Sequence, residues 1–273
     1  MNDPKDFLKN NDLEGALASI QDTIRKDPSE AKHRIFLFQL LSVLGDWKRA
    51  IAQLKLSAEL DPLALMMAQT YREGIICEIY REKVFLGEKT PLFFGKPEEW
   101  TALIFEALKA LSAGNYSEAE KLRNSAFDMA PSISGELNGE PFEWIADADM
   151  RLGPILEAIV DGKYYWMPFN VIKSLTVEEP VDLRDSVWMP AGIKLLNGGD
   201  IVALIPTRYA GTLSTNENKL KLSRETNWED IGNGTYIGTG QRIFATDTGD
   251  VSLMDLRTLN MHSSSSESTE NDG

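Results

Sequence analysis

The sequence contains one cysteine and two histidines in 273 residues, so the side chains that most often bind metals or attack substrates are scarce. Cys77 alone excludes a disulfide bond within the chain and is typical of a reducing compartment. His33 falls in a predicted helix and His262 near the end of the sequence, so neither a zinc-binding set nor a Cys–His pair is indicated. A serine hydrolase would have to use His33, which lies in an ordinary repeat helix, and it is therefore not favoured.

Long apolar runs and an excess of basic residues are also missing. No run approaches the roughly 18 residues that a membrane-spanning helix needs. Residues 1–6 lack the basic region and apolar core of a signal peptide, so the cytoplasm is the expected location. The chain has 28 Lys and Arg against 42 Asp and Glu, a net charge of −14. Nucleic acids and anionic membranes are therefore not expected as partners, because binding them requires basic side chains. A basic or amphipathic protein partner fits this charge.

What the chain does contain is a repeat. The dipeptide Asp27-Pro28 recurs as Asp61-Pro62, and 61 − 27 = 34 is the period of the tetratricopeptide repeat, a pair of antiparallel helices. A third copy runs from Asn115 to Pro131, two periods and one residue later, since 131 − 62 = 69. Repeats of this kind present a groove to another polypeptide, so the front half of the chain indicates binding rather than catalysis.

Leu13, Trp47 and Tyr116 occupy equivalent positions in the three copies. We predict that these side chains pack alike between stacked helix pairs. Truncating Trp47 to alanine should then cost roughly 3–5 kcal/mol of stability.

Helical spacing of apolar residues continues to about residue 160. Pro28 and Pro62 each end a helix, because proline lacks an N–H and disfavours helical geometry in the residue before it. We predict a helical-repeat domain over residues 1–162. Its helices should span residues 13–26, 31–44, 46–60, 63–85, 100–113, 117–130 and 143–160, with a kink at Gly153-Pro154 and a loop over 87–97.

From residue 163 the pattern changes to short β-branched or alternating runs separated by turn signals such as Asn197-Gly198 and Asn233-Gly234. We predict a small antiparallel, barrel-like β domain over residues 163–259 and a polar, disordered tail over 260–273. The fold class is therefore α+β, with a repeat domain of the tetratricopeptide type followed by the β domain. The predicted strands span residues 163–169, 193–196, 200–206, 219–223, 235–237, 241–245 and 251–255.

Several short motifs occur in a distinctive order along the chain. They read GDWKRA (45–50), ELNGEPFEW (136–144), DADMRLGP (147–154), GKYYWMPF (162–169), WMPA (188–191), PTRY (206–209) and GTGQR (238–242). Each motif alone is weak, but the ordered set closely resembles the ImpE family, also called TagJ. These are accessory proteins of bacterial type VI secretion systems. The resemblance covers residues 13–257.

The resemblance implies a cytoplasmic binding protein without catalytic residues or cofactors. Members of the family bind the N-terminal helix of the small sheath subunit. They are thereby linked to recycling of the contracted sheath by a hexameric unfoldase, an ATPase. The resemblance also implies a helical-repeat domain followed by a β-rich domain.

Carboxylates crowd the segment between the two predicted domains. Asp147 and Asp149 could bind a divalent ion or act as general bases, which would make the chain a metal-dependent enzyme. We favour structural ion pairs with Arg151, Arg208 and Arg242, because metal sites usually need more oxygen ligands. The planar fork of Arg208 suits a bidentate bond, so we predict that it pairs with Asp147 or Asp149.

The glycine-rich segment 238–242 lacks the lysine and the spacing of a P-loop. Its position between predicted strands indicates a tight turn that uses the positive φ of glycine, rather than a nucleotide site.

An amphipathic helix binds in an apolar groove that accepts side chains at helical spacing. The repeat helices offer Phe36, Leu40, Tyr71 and Tyr80 as candidate groove residues. The preferred hypothesis is a non-enzymatic adaptor that captures the sheath helix in this groove. A generic repeat scaffold for another client protein remains a further alternative.

Overall fold

The computed structural model describes residues 3–262. Its front half consists of helices joined by short loops. A carboxylate side chain caps each of the first four, because it accepts the free N–H groups of the first turn. Asp12 accepts from the backbone of Gly15, and Asp46 from that of Arg49; Asp3 and Glu30 cap the other two. The helices are α1 (Pro4–Lys9), α2 (Leu13–Lys26), α3 (Ala31–Leu44), α4 (Trp47–Leu60), α5 (Leu65–Phe85), α6 (Glu99–Ser112) and α7 (Tyr116–Met129).

The 34-residue period governs where these helices begin. Helix α4 begins 34 residues after α2, since 47 − 13 = 34, and α5 begins 34 residues after α3, since 65 − 31 = 34. A second helix of the third repeat would begin at residue 81, since 47 + 34 = 81. That residue lies inside α5, which runs for 21 residues. No helix therefore begins one period after α4, and the third copy found in the sequence is displaced to α7, which begins at Tyr116.

Strands follow the helices from residue 135 onward. A short strand, β1 (Leu92–Phe93), precedes α6, and a single-turn helix, α8 (Asn218–Lys221), lies among the later strands. The remaining strands are β2 (Gly135–Leu137), β3 (Glu140–Phe142), β4 (Ile145–Asp147), β5 (Ile155–Val160), β6 (Lys163–Pro168), β7 (Ile172–Val177), β8 (Trp188–Leu195), β9 (Asp200–Pro206), β10 (Thr226–Asp230), β11 (Tyr236–Gly240), β12 (Ile243–Thr246), β13 (Asp250–Ser252) and β14 (Thr258–Met261).

Nine of the strands form one open sheet in the order β1-β6-β5-β9-β8-β7-β14-β2-β3. All its pairs are antiparallel except β1 with β6. The α+β class and the antiparallel character are confirmed, but the barrel-like closure is wrong, because β1 and β3 are free edges. Strands β13, β12 and β4 form a second sheet, and β10 pairs with β11.

Four predictions about secondary structure are wrong. The predicted loop over residues 87–97 contains strand β1, which pairs with β6. Residues 143–160 hold strands β4 and β5 instead of a kinked helix. Residues 219–223 begin in helix α8 instead of a strand. The predicted tail overlaps β14, which runs to Met261; the part from residue 263 onward lies outside the described residues. The division of the chain at residue 162 stays a prediction, although the last long helix ends at Met129.

The large sheet buries both faces. On β5, Ile155 and Ile159 pack into the core shared with the helices, whereas Leu156 and Ala158 face a second core, because successive side chains of a strand point to opposite sides. Phe244 on β12 belongs to that second core. The structure is therefore layered, with helices on one face of the nine-stranded sheet and the three-stranded sheet on the other.

The three positions predicted to be equivalent share their place after a helix cap but not their surroundings. Leu13 is fully buried, Trp47 is half-buried against Trp188 with ring centroids 6.0 Å apart, and Tyr116 is 46% exposed. The prediction of like packing is therefore wrong, because the Trp47 ring packs on Trp188 of the sheet whereas the Tyr116 side chain is exposed to solvent.

Candidate functional site

The four predicted groove residues do not line one groove. Leu40 and Tyr71 are buried in the core, so they cannot touch a partner without opening the fold. Tyr80 is half-buried and its hydroxyl donates to the carbonyl of Thr90 at 2.7 Å. Phe36 alone of the four borders a surface groove.

The groove at Phe36 has a volume of about 800 Å³ and runs between α1, α2 and α3. Its apolar floor includes Leu8, Ile20 and Ile35, and exposed Val181 stands at its margin. We call it the α1–α3 groove. Its size and apolar floor suit an amphipathic helix or an extended peptide.

A second groove of about 420 Å³ separates α4 from α5. We call it the α4–α5 groove. Its α4 wall carries aliphatic side chains, and its α5 wall adds leucine, alanine and arginine side chains. The lining residues of these kinds are Ile51, Leu54, Ala58, Leu65, Ala68 and Arg72.

One side of α5 beside this groove is exposed along five positions. Leu65, Gln69, Arg72, Ile76 and Ile79 follow one another at spacings of four, three, four and three residues, which places them on one helical face. We call this face the outer stripe of α5. Three of its five side chains are large and apolar, a composition more typical of a helix interface than of a solvent-facing surface.

The opposite side of α5 joins the sheet through a buried ionic cluster. The Arg81 guanidinium donates to both carboxylate oxygens of Glu157 on β5, from Nε at 2.6 Å and from Nη2 at 2.8 Å. Arg242 and the Tyr164 hydroxyl donate to the same carboxylate. Each of these four side chains is buried, so Glu157 is the hub of a charged network with no access to water.

Asp147 and Asp149 belong to neighbouring pairs. Asp147 accepts from Arg242, and Asp149 accepts from Nε of Arg151 at 2.8 Å. Asp149 also accepts from the backbone N–H of Gly238 at 2.9 Å, which ties it to β11. These donors occupy the carboxylate oxygens that a metal ion would need.

The predicted pairing of Arg208 with Asp147 or Asp149 is wrong. Its guanidinium donates to the carbonyls of Val43 at 2.7 Å and Ser42 at 3.2 Å in the last turn of α3. A cation there balances the partial negative charge of a helix C-terminus. Arg208 therefore docks the β region onto α3 through backbone groups, which sequence patterns do not reveal.

Burial and pairing shift the pKa values of this cluster. Burial raises the pKa of Glu157, but Arg81 and Arg242 outweigh it and bring the pKa down to about 2. Burial raises the pKa of Asp147 to about 7, against the opposing effect of Arg242. Burial also lowers the pKa of Arg208 to about 10, since only the more distant Glu78 and Glu82 favour its charge. The Glu157 carboxylate is therefore ionised at neutral pH.

A cavity of about 340 Å³ lies beside the cluster, between α5 and the segment 208–214. Three arginine side chains border it, Arg81, Arg151 and Arg208, together with the ring of Phe85. Each guanidinium already donates to a carboxylate or a carbonyl of the protein. The arrangement therefore fixes the helices on the sheet.

The remaining motifs are structural as well. Gly238 lies within β11, where a side chain would collide with Tyr209, and Gly240 has the positive φ of 92° that the turn prediction assigned to this segment. Burial raises the pKa of the Cys77 thiol to about 12, so it stays protonated. Over residues 3–262, no three His, Cys, Asp or Glu side chains come together as a metal site. No helix in that same range has the length and apolarity to cross a membrane.

Comparison with known proteins gives the chain its relatives. The family model described as ImpE protein matches residues 139–260. The type VI secretion system accessory component TagJ of Pseudomonas aeruginosa is 48% identical over 255 residues, which cover 93% of this chain and 89% of that protein. The chain belongs to the ImpE family. The resemblance inferred from the ordered motifs is confirmed.

This ImpE chain also resembles a solved structure. The crystal structure of protein VPA1032 from Vibrio parahaemolyticus matches with a TM-score of 0.85 and 25% sequence identity, covering 95% of this chain and 97% of that one. The helical array and the sheet therefore occur together in a second protein.

Sequence reasoning missed Arg81 as a partner of Glu157 in the ImpE chain. A usable signal did exist. Glu78 and Arg81 fall on the same helical face as Tyr71 and Gly74, which is the buried side of α5. Charged residues on an otherwise buried stripe must find partners, because an unpaired buried charge is costly. Only the fold could name Glu157 as that partner.

Proposed function

We propose that this ImpE chain is a non-enzymatic accessory protein of a bacterial type VI secretion system. It binds the N-terminal amphipathic helix of the small sheath subunit in the cytoplasm. Through that contact it links the contracted sheath to recycling by the hexameric unfoldase. The observation that carries the proposal is the relationship, at 48% identity over 93% of the chain, to a protein named as an accessory component of that system.

The surface supports a helix-binding role. Two apolar grooves run between repeat helices, with volumes of about 800 and 420 Å³. Helix-in-groove binding uses ligand side chains at i, i+3 or i+4, and i+7 against such a surface. The net charge of −14 favours a ligand helix with basic side chains on its polar face.

Titration calorimetry with a synthetic peptide tests the proposal. The peptide is the N-terminal helix of the small sheath subunit from the same organism. We expect saturable binding at one peptide per chain, and no binding of a peptide with the same composition in scrambled order. Absence of binding by the intact peptide would refute the sheath-binding role. A pull-down against other secretion-system components would then identify the client of a more general scaffold.

The metal-dependent enzyme is the alternative with a direct test. Asp147 and Asp149 already accept hydrogen bonds from Arg242 and Arg151, so an added ion would have to displace a guanidinium. We therefore expect Mg²⁺, Mn²⁺ or Ca²⁺ to leave the thermal midpoint unchanged. A ligand that binds the native state at a concentration of 100 times its Kd would stabilise it by about 2.7 kcal/mol. A clear rise in the midpoint would favour the enzyme.

A further inference from the structure

The 34-residue register of the ImpE chain breaks at α5, and the third copy is displaced to α7. Helices α2 and α4 are the second helices of the first two copies, 34 residues apart. The next one would begin at residue 81, but α5 continues through that position. In stacked repeats each helix pair contacts its neighbours, so the side of α5 that its own second helix would cover is left without that cover.

Residues of α3 and the residues 34 positions later on α5 can be compared to show which surface of α5 stays uncovered. Ala31 and Ser42 on α3 are buried at 9% and 0% exposure. The residues 34 positions later on α5 are Leu65 and Ile76, exposed at 60% and 44%. The same face is therefore covered on α3 and open on α5, and on α5 it carries larger apolar side chains.

We propose that the partner helix binds in the α4–α5 groove and along the outer stripe of α5, in the place of the absent second helix. This inference rests on the proposed function and assigns it a site. The second helices α2, α4 and α7 each have 14 residues, which sets the expected length of the bound segment. The bound helix supplies, from outside the chain, the second helix that would follow α5 in the 34-residue register.

The chemistry of the surface defines the bound helix further. The α4 wall offers Ile51, Leu54 and Ala58, which call for an apolar stripe on the ligand. Arg72 is exposed in the middle of the outer stripe, and no ion pair found within residues 3–262 includes it. A carboxylate near the centre of the ligand helix would meet this guanidinium. The occupant is thus an amphipathic helix with apolar anchors and one central acidic residue.

The chain's own last segment does not fit this surface. Residues 263–273 read SSSSESTENDG and contain no aliphatic or aromatic side chain. They offer nothing to fill a groove lined by isoleucine and leucine.

The test measures the affinity of the sheath peptide for the full chain and three single variants by calorimetry. Ile76→Glu places a charge on the outer stripe. Val181→Glu does the same at the margin of the α1–α3 groove, and Val202→Glu on exposed β9 is the matched control away from both. We expect Ile76→Glu to weaken binding by about tenfold or more, as for a residue central to an interface. Val181→Glu and Val202→Glu should match the wild type.

Each other outcome has a distinct meaning. Normal binding by Ile76→Glu, with weak binding by Val181→Glu, would move the helix to the α1–α3 groove and overturn this site while leaving the proposed function intact. No binding by the wild type would overturn both. Sedimentation of each protein without peptide adds a further check. A wild-type dimer that Ile76→Glu converts to a monomer would make a second copy of the chain the occupant and overturn the partner helix.

Discussion

The two sides of α5 differ as sharply as any two regions of this molecule. The side that faces the sheet buries Glu78 and Arg81 in a charged network that extends to Glu157 on β5 and to Arg242, which precedes β12. The side that faces away exposes Leu65, Ile76 and Ile79 with no layer over them. A charged pair is thus enclosed among apolar side chains on one side, and three large apolar side chains are exposed on the other, both of which are unusual positions for these residue types. The enclosed side holds the helical array on the sheet, whereas the open side is free for another molecule.

The largest expected change in stability comes from removing the ion pairs on the buried side of α5. Glu157→Gln removes the anion that Arg81 and Arg242 share, so that Arg81 keeps only Glu78 and Arg242 keeps only Asp147 as carboxylate partners in the core. We expect the free energy of unfolding in urea at pH 7 to fall by about 3–5 kcal/mol. Glu82→Gln, at an exposed position of α5, should change this free energy by less than about 0.5 kcal/mol. Equal effects of the two variants would contradict the role of the cluster.

Acid should weaken the buried ionic cluster that joins α5 to the sheet. The pKa of Glu157 is about 2 in the folded protein against its ordinary value of 4.5, so the unfolded chain takes up this proton first as the pH falls. The contribution of the Glu157 carboxylate to the free energy of unfolding is complete above pH 4.5 and is lost as the pH falls towards 2. That contribution amounts to about 3 kcal/mol. Urea unfolding of the wild type and Glu157→Gln at pH 7, 4 and 3 should therefore give a difference that narrows with acid. A constant difference would show that the carboxylate does not titrate in this range.

Trp47 lies where the helical array meets the sheet, with its ring against Trp188. Because it is half-buried, Trp47→Ala should cost about 2 kcal/mol of unfolding free energy, below the range for a fully buried tryptophan. Trp47→Phe, which keeps an aromatic ring, should cost less. If Trp47→Ala kept full stability and lost partner binding, the ring would be a binding anchor instead.

The smallest effect on stability is expected on the open side. Ile76→Glu should change the thermal midpoint little, with a stability difference below about 0.5 kcal/mol, since the side chain meets solvent. A loss above about 2 kcal/mol would mean that this face is packed within the folded chain. The comparison between the two sides of α5 would then fail.

The helical array was predictable because its determinants are local. Asp46 caps α4 and Pro62 follows its end, and both signals lie within a few residues of the boundaries they set. Residues 143–160 were mistaken for a helix because their strands are stabilised by distant partners. β4 pairs with β12 about 100 residues later, and β5 pairs with β9. Helical spacing of apolar residues in such a stretch carries no information about those partners.

The candidate site was also predictable only in part from the sequence. Arginine and aspartate at the junction were recognised as a charged group, yet the pairing of Arg208 was wrong because its acceptors are carbonyls of α3, more than 160 residues away. The outer stripe of α5 could be recognised only from the sequence period and the structure together. The period gives the position of the absent helix, and the burial of Ala31 and Ser42 identifies the face that it leaves open.

Strand β14 has a consequence for synthesis of the chain. It lies between β7 and β2, so the hairpin β2–β3 reaches the rest of its sheet only through residues 258–261. The ribosome makes those residues 121 positions after Leu137, since 258 − 137 = 121. At roughly 5–20 residues per second, the hairpin waits about 6–24 s for its neighbour. During that interval the nascent chain exposes two unpaired strand edges, which is the moment at which a chaperone would matter most.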